Sequence, residues 1–231
     1  MKKNYKKLTF KTKADWLEAK NNTIGGSEAA IVVNKNPWQN TNDLYNKLVL
    51  HKSKVIPENE RMREGTLAEE HIRALFGLDN KDFIIKNPPK RGYWFYFRKD
   101  KPYISCTPDG LAKRVSTNKL WGIEIKDVEL RTKASKELWL NNQLPDHYYF
   151  QTLQYLVTFN DMEGVVLVAH LKHYKHEEET DSWVFDYAED RPYYIYREDV
   201  KSHISFLEKK ETEFMEINIK GRKRPKLVIS V

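Results

Sequence analysis

The 231-residue chain has a single cysteine, Cys106, so no disulfide can close within it, and zinc or iron–sulfur centres built from several thiolates are excluded. Long apolar runs are also missing. The strongest, GVVLVAHL at 164–171, falls well short of the roughly 20 residues that a membrane-spanning helix needs. The start, MKKNYKKLTFKTK, is basic but has no apolar segment of the kind a secretory signal carries. Neither an internal repeat nor a low-complexity linker divides the sequence, and its nine glycines and nine prolines are scattered. These absences point to a single domain over 1–231 in a reducing, cytoplasmic setting.

What is present is enough apolar and aromatic material for a real core, 40% and 13% of residues, which argues against disorder. Lys and Arg outnumber Asp and Glu by 40 to 33, giving a net charge of +7. Such a surface suits a polyanion such as nucleic acid, and equally a merely soluble basic protein.

Hydrophobic spacing predicts an amphipathic helix over 12–22, and a second after the glycine pair of TIGGSEAAIVV with Ser27 as its cap. A third starts at Thr41, beyond the Pro37 break. Ala68, Ile72, Leu75 and Phe76 define the apolar stripe of a helix over 58–77 that Gly77 stops. Glu69 lies on that stripe and points inward, whereas Glu70 groups with Arg73 on the wetter side. Between 82 and 128 the pattern is strand-rich, with turns at NPPKRG, TPDG and STNK. The segment 145–159 reads as a buried helix capped by Asp146, yet Gln151, Gln154, Tyr155 and Thr158 form a polar stripe along it. GVVLVAHL, SWVFDY and YYIYR read as separate strands, and 197–221 as a closing amphipathic helix.

The stretch SCTPDGLAKRVSTNKLWGIEIK at 105–126 concentrates the chemistry. Ile123 and Ile125 share one strand face and Glu124 and Lys126 the other. A solvated face is the ordinary reading of such a charge pair, and turn chemistry that of Asp109 between Pro108 and Gly110. The hairpin, however, brings Asp109 towards Glu124, and two close carboxylates call for a shared proton or a bound cation. Oxygen donors of that kind suit a hard divalent ion that also takes phosphate oxygens, with the Lys126 ammonium beside it to orient a water or stabilise charge on the phosphate.

Asp109 after Pro108, followed by Glu124-x-Lys126, matches the PD-(D/E)XK nuclease pattern. With IGGSEAA, EGTLAEEHIRALF, CTPDGL, GIEIK and YYFQTLQYL in order between about 15 and about 170, the chain resembles the YqaJ-type viral recombinase, or phage lambda exonuclease, family. The resemblance implies an α/β, restriction-endonuclease-like fold, a central mixed β-sheet flanked by helices, with 171–231 adding C-terminal strands and a helix. It implies a divalent-metal-dependent 5′→3′ exodeoxyribonuclease that resects duplex DNA ends to 3′ overhangs for phage-type recombination, using Mg²⁺, for which Mn²⁺ can substitute. Asp109 and Glu124 would then be metal ligands, the backbone carbonyl of Ile125 a further one, and Lys126 the catalytic lysine. Glu69 falls where the family places a helical glutamate of the metal site, and Gln151 where it has an active-site glutamine. Ser27 matches a 5′-phosphate-binding serine, but Lys20 stands where the family has its assisting arginine, and lysine lacks the bidentate fork. The implied partners are double-stranded DNA ends and a phage single-strand annealing protein, in a phage- or prophage-encoded protein acting in a bacterial host. A homotrimeric ring is one assembly the resemblance allows.

An endonuclease or nickase on the same centre, and a non-catalytic DNA-binding protein, are the alternatives. His170, His173 and His176 are expected at a strand end and turn, where their spacing does not diagnose a metal site. The basic ends read either as DNA-backbone contacts or as solvated tails, and Trp38, Trp94 and Trp121 either as base-stacking residues or as core.

Overall fold

The computed structural model describes residues 2–51, 60–178 and 180–226, without the side chains of 61, 62, 64 and 66. Its centre is a five-stranded sheet in the order β2 (Phe83–Lys86), β5 (Gly110–Arg114), β6 (Leu120–Leu130), β7 (Met162–Glu177), β8 (Ser182–Tyr196). Only the β6–β7 pair is parallel, because the chain between them crosses over through helices α5 (Lys133–Leu140) and α6 (Asp146–Thr158). A second sheet joins β1 (Tyr5–Phe10), β3 (Tyr93–Arg98) and β4 (Ser105–Cys106). The helices α1 (Lys13–Asn21), α2 (Gly26–Val32), α3 (Thr41–Leu50), α4 (Glu60–Asp79) and α7 (Lys201–Glu213), the last followed by a π-helical turn over Phe214–Lys220, complete the described elements.

Strand β6 is buried on both faces. On one, Ile123 and Ile125 meet Ile72 and Phe76 of α4 together with Val166 and Val168 of β7. On the other, α6 lays Leu153 and Leu156 against Val165, Leu167 and Ala169. The solvated face that is the ordinary reading of such a charge pair therefore does not exist at Glu124, which is 1% exposed. The approach of α6 depends on Gly122: a Cβ there would stand 3.0 Å from the Tyr155 ring and 3.2 Å from the Met162 sulfur.

Several local expectations are corrected. Ser27 is the second residue of α2, not its cap; Gly25 holds the cap position, and its N–H donates to the Glu28 side chain at 3.0 Å. Gly77 lies inside α4, where a Cβ would be 3.1 Å from Ile85, so it permits close packing on β2 and the helix runs on to Asp79. The first residues of that expected helix, 58 and 59, lie outside the described residues. Leu75 is exposed, and Arg73, expected on the wetter side, is buried. Pro145 rather than Asp146 caps α6. SWVFDY and YYIYR form one continuous strand, β8, which pairs antiparallel with β7 along nearly its whole length. The histidines lie within β7, each beside an acid: His170 with Asp190 at 2.6 Å, His173 with Glu189 at 3.2 Å, His176 with Asp181 at 3.1 Å. Trp94 and Trp121 are core residues, while Trp38 is 70% exposed.

Glu211 of α7 is fully buried, and neither of its carboxyl oxygens has a hydrogen-bond partner among the described residues. Burial pushes its carboxyl well above the ordinary value; Glu208 adds to the push, against the Gln154 amide and the Arg98 and Lys101 cations. Below the ordinary carboxylate value, folded and unfolded chains both hold this proton. Above it the unfolded chain releases the proton while the folded chain keeps it, so stability falls as pH rises towards the folded value. Glu211→Gln is predicted to raise stability by roughly 1–3 kcal/mol at about pH 8, the gain vanishing near pH 4. Thermal melts of both proteins across that range check it, and a variant no more stable than wild type at the alkaline end would contradict it.

Candidate active site

Residues 109 and 124 meet through strand register. Gly110 at the start of β5 pairs with Ile123 of β6, so Asp109 arrives beside Glu124. Its Oδ2 accepts a hydrogen bond from the Ile125 backbone N–H at 2.8 Å, which fixes the carboxylate against β6. The turn behind it is clamped from both sides. Arg73 reaches from α4, donating to the Asp109 carbonyl at 2.7 Å and to the Asn87 side chain at 3.0 Å, and the Trp94 indole N–H donates to the Pro108 carbonyl at 2.7 Å.

Glu124 is held mainly by α6. Gln151 donates to its Oε1 at 2.5 Å, and the Tyr155 hydroxyl donates to Oε2. The Lys126 ammonium lies 2.5 Å from Oε1 and 4.9 Å from the centre of the Tyr148 ring. The polar stripe on α6 is thus divided between two tasks: Gln151 and Tyr155 serve Glu124, while Gln154 donates to the Ile24 carbonyl at 3.0 Å and Thr158 bonds back to the Gln154 carbonyl.

Glu69, half-buried as its place on the α4 stripe predicts, lines the same cavity as Asp109, Glu124, Ile125, Lys126 and Gln151, a space of about 640 Å³. The charges in it perturb one another. Burial pushes Glu69 up to about 7, with Glu124 adding to the push and Lys126 and Arg73 opposing it. Burial likewise raises Asp109 well above its ordinary value, aided by Glu124 and Glu69. Lys126 is raised too, but for the opposite reason: burial alone would lower it, and Glu124 and Asp109 hold the ammonium above its ordinary value.

Lys20 and Ser27 line the same cavity. The Lys20 ammonium stands 4.4 Å from the centre of the Trp16 ring, and burial lowers its pKa despite the attraction of Glu28. Here too a glycine allows a close approach, since a Cβ on Gly26 would lie 3.0 Å from the Gln151 side chain. The structure therefore brings all of Asp109, Glu124, Ile125, Lys126, Glu69, Gln151, Ser27 and Lys20 to one cavity. Sequence reasoning missed Arg73 and the role of Tyr155. Tyr155 was visible as part of the polar stripe; for Arg73 the only signal was its place one turn after Glu69 on α4.

Among the described residues, no three Asp, Glu, His or Cys groups gather closely enough to hold an ion unaided. Two carboxylates with a main-chain carbonyl do fit Mg²⁺, which keeps several waters and takes few protein ligands. Beyond burial, the largest cause, Glu124 pushes both Asp109 and Glu69 upward, a repulsion between carboxylates that a cation would relieve.

A model of the YqaJ-like viral recombinase domain matches residues 15–161. Among solved structures, the crystal structure of an alkaline exonuclease (LHK-Exo) from Laribacter hongkongensis is similar, with a TM-score of 0.59 at 18% identity over 90% of this chain and 96% of that one. LHK-Exo in complex with dAMP gives a TM-score of 0.51 at 17% identity, covering 90% and 98%. At these identities the likeness is one of fold, and it agrees with the expected mixed sheet flanked by helices. No curated protein matches the chain.

Arg73→Ala is predicted to lower stability by roughly 1–3 kcal/mol by removing the bond of the buried Arg73 to the part-buried Asp109 carbonyl. Arg73→Lys should fail to restore it, because a single ammonium does not reproduce the fork that reaches both Asn87 and Asp109. Urea unfolding measures both variants; a lysine variant as stable as wild type would show that the fork is dispensable.

Proposed function

The chain belongs to the YqaJ-like viral recombinase family, and from that premise we propose that it is a divalent-metal-dependent 5′→3′ exodeoxyribonuclease that resects duplex DNA ends to 3′ overhangs. One observation carries this reading: the carboxylates of Asp109, Glu124 and Glu69 and the ammonium of Lys126 share a single cavity with the Ile125 backbone. A fold similar to an alkaline exonuclease and a net charge of +7 support it.

Asp109, Glu124 and the Ile125 carbonyl would hold the ion, Mg²⁺ or Mn²⁺ in its place, with Glu69 as a further ligand on the α4 side. When bound, such a cation neutralises phosphate charge and lowers the pKa of a water. Lys126 orients the attacking water and stabilises charge that builds on the phosphate, a task suited to an ammonium kept protonated by two carboxylates. Gln151 holds Glu124 from α6 and so sets the direction of its free lone pairs. Tyr155 does the same from the other oxygen. Lys20 and Ser27, which line the same cavity, receive the 5′-phosphate, which accounts for end dependence and polarity. DNA ends are thus the substrate. A phage-type annealing protein is the partner this reading implies, and a homotrimeric ring is one assembly it allows.

Lys126→Ala is predicted to cut Mg²⁺-dependent nucleotide release from linear duplex DNA by about 100-fold or more, with closed circular DNA untouched by wild type. Equal, negligible release from both proteins would mean a non-catalytic DNA binder, and cutting of the circle an endonuclease. Lys20→Ala should abolish a preference for 5′-phosphorylated over 5′-hydroxyl ends. Absence of that preference in wild type would remove Lys20 and Ser27 from the assignment and leave the ion site standing.

A further inference from the structure

Trp38 is 70% exposed, an unusual position for an indole on a chain whose Trp94 and Trp121 are buried. It does not dangle. Pro37 precedes it, and the Asn36 side chain accepts hydrogen bonds from the backbone N–H groups of Trp38 and Gln39, both at 2.9 Å. Asn40 then caps α3. The backbone around the indole is therefore fixed while the ring stands out into solvent.

A series of ring contacts leads from this indole to the catalytic lysine. Trp38 meets His147 edge-on at 4.8 Å, His147 meets Tyr148 at 4.0 Å, and the Lys126 ammonium lies 4.9 Å from the centre of the Tyr148 ring. His147 and Tyr148 are the second and third residues of α6, the helix that also supplies Gln151. The His147 Nε2 is buried and has no hydrogen-bond partner among the described residues. A sequence-distant loop is thus propped against the helix that holds Glu124.

We propose that Trp38, backed by His147, is a stacking platform for an unpaired nucleobase of the DNA strand that passes the Lys126 centre; this rests on the nuclease reading above. A protein-docking surface needs a contiguous apolar patch, and the residues around Trp38 in the chain, Lys35, Asn36, Gln39 and Asn40, are polar. Base stacking needs only one rigid π-surface near cationic groups, and it tolerates any sequence because every base has a π-face. Lys35 supplies a neighbouring cation, ion-paired with Asp146 at 3.0 Å at the start of α6. An exonuclease must part the last bases of a duplex, so a platform for a freed base, linked through His147 and Tyr148 to its catalytic lysine, has a direct use.

The test titrates the full chain with a short single-stranded oligodeoxynucleotide at fixed salt in calcium buffer, reading affinity and tryptophan fluorescence quenching. Trp38→Ala is expected to weaken binding at least about fivefold and to remove part of the quenching, whereas Trp38→Phe retains most of the affinity. An abasic oligonucleotide of equal length should bind wild type and Trp38→Ala alike. Wild-type affinity in Trp38→Ala, or an equal loss towards the abasic strand, would overturn the proposal. Because binding is read apart from cleavage, base-dependent binding through Trp38 in a chain that digests no DNA would remove the nuclease reading and leave the platform in place.

Discussion

Glu124 lies in the middle of a central strand with both sheet faces covered, and a carboxylate so placed is costly unless every lone pair is served. Lys126 supplies a countercharge, and Gln151 and Tyr155 supply hydrogen bonds from a single helix. Much of the surrounding architecture follows from that requirement. Helix α6 has to lie directly on β6, which Gly122 permits, and α2 has to come close to α6, which Gly26 permits. Asp109 is then fixed to the same strand through the Ile125 N–H, and Arg73 anchors its turn from the opposite layer. Helices on both faces of the sheet thus converge on one pair of carboxylates.

The same arrangement keeps the site electrostatically tense. Asp109 and Glu69 are both pushed up, by burial first and by neighbouring carboxylates second, and Lys126 is held charged by the groups it balances. In the proposed function, a divalent cation and a phosphate would take over part of that compensation. The family match ends at residue 161, before the β7–β8 ribbon and α7. Those later elements act as a buttress: β7 covers the far edge of β6, and Glu208 of α7 pairs with Arg98 and Lys101, both at 2.8 Å, tying the two sheets' surroundings together.

Much of the site was legible in the sequence because it is local. The offset between Asp109 and Glu124 follows from one hairpin, and the inward turn of Glu69 from helical spacing alone. The burial of Glu124 was not legible in GIEIK, since alternation reports two faces but not what covers them; the cover comes from α6, and its signal was the polar stripe of Gln151 and Tyr155 on an otherwise apolar helix. Arg73 escaped for a related reason: a charge beside an apolar stripe ordinarily reaches water, and here it reaches the Asn87 side chain just after β2 and the Asp109 carbonyl just before β5. Strand β1 was hidden within a basic start, because an edge strand pairing only with β3 has little need of apolar alternation. The single long β8 read as two strands because no sequence rule weighs pairing with an equally long partner.

The central claim is that Asp109 and Glu124 jointly hold one divalent cation beside Lys126. Titration of the metal-free chain with Mn²⁺, followed by electron paramagnetic resonance of the free ion, tests it without reference to cleavage. The account predicts saturable uptake by wild type that is lost in both Asp109→Asn and Glu124→Gln while the fold persists by circular dichroism. Uptake unchanged in either folded variant, or none by wild type, would contradict it.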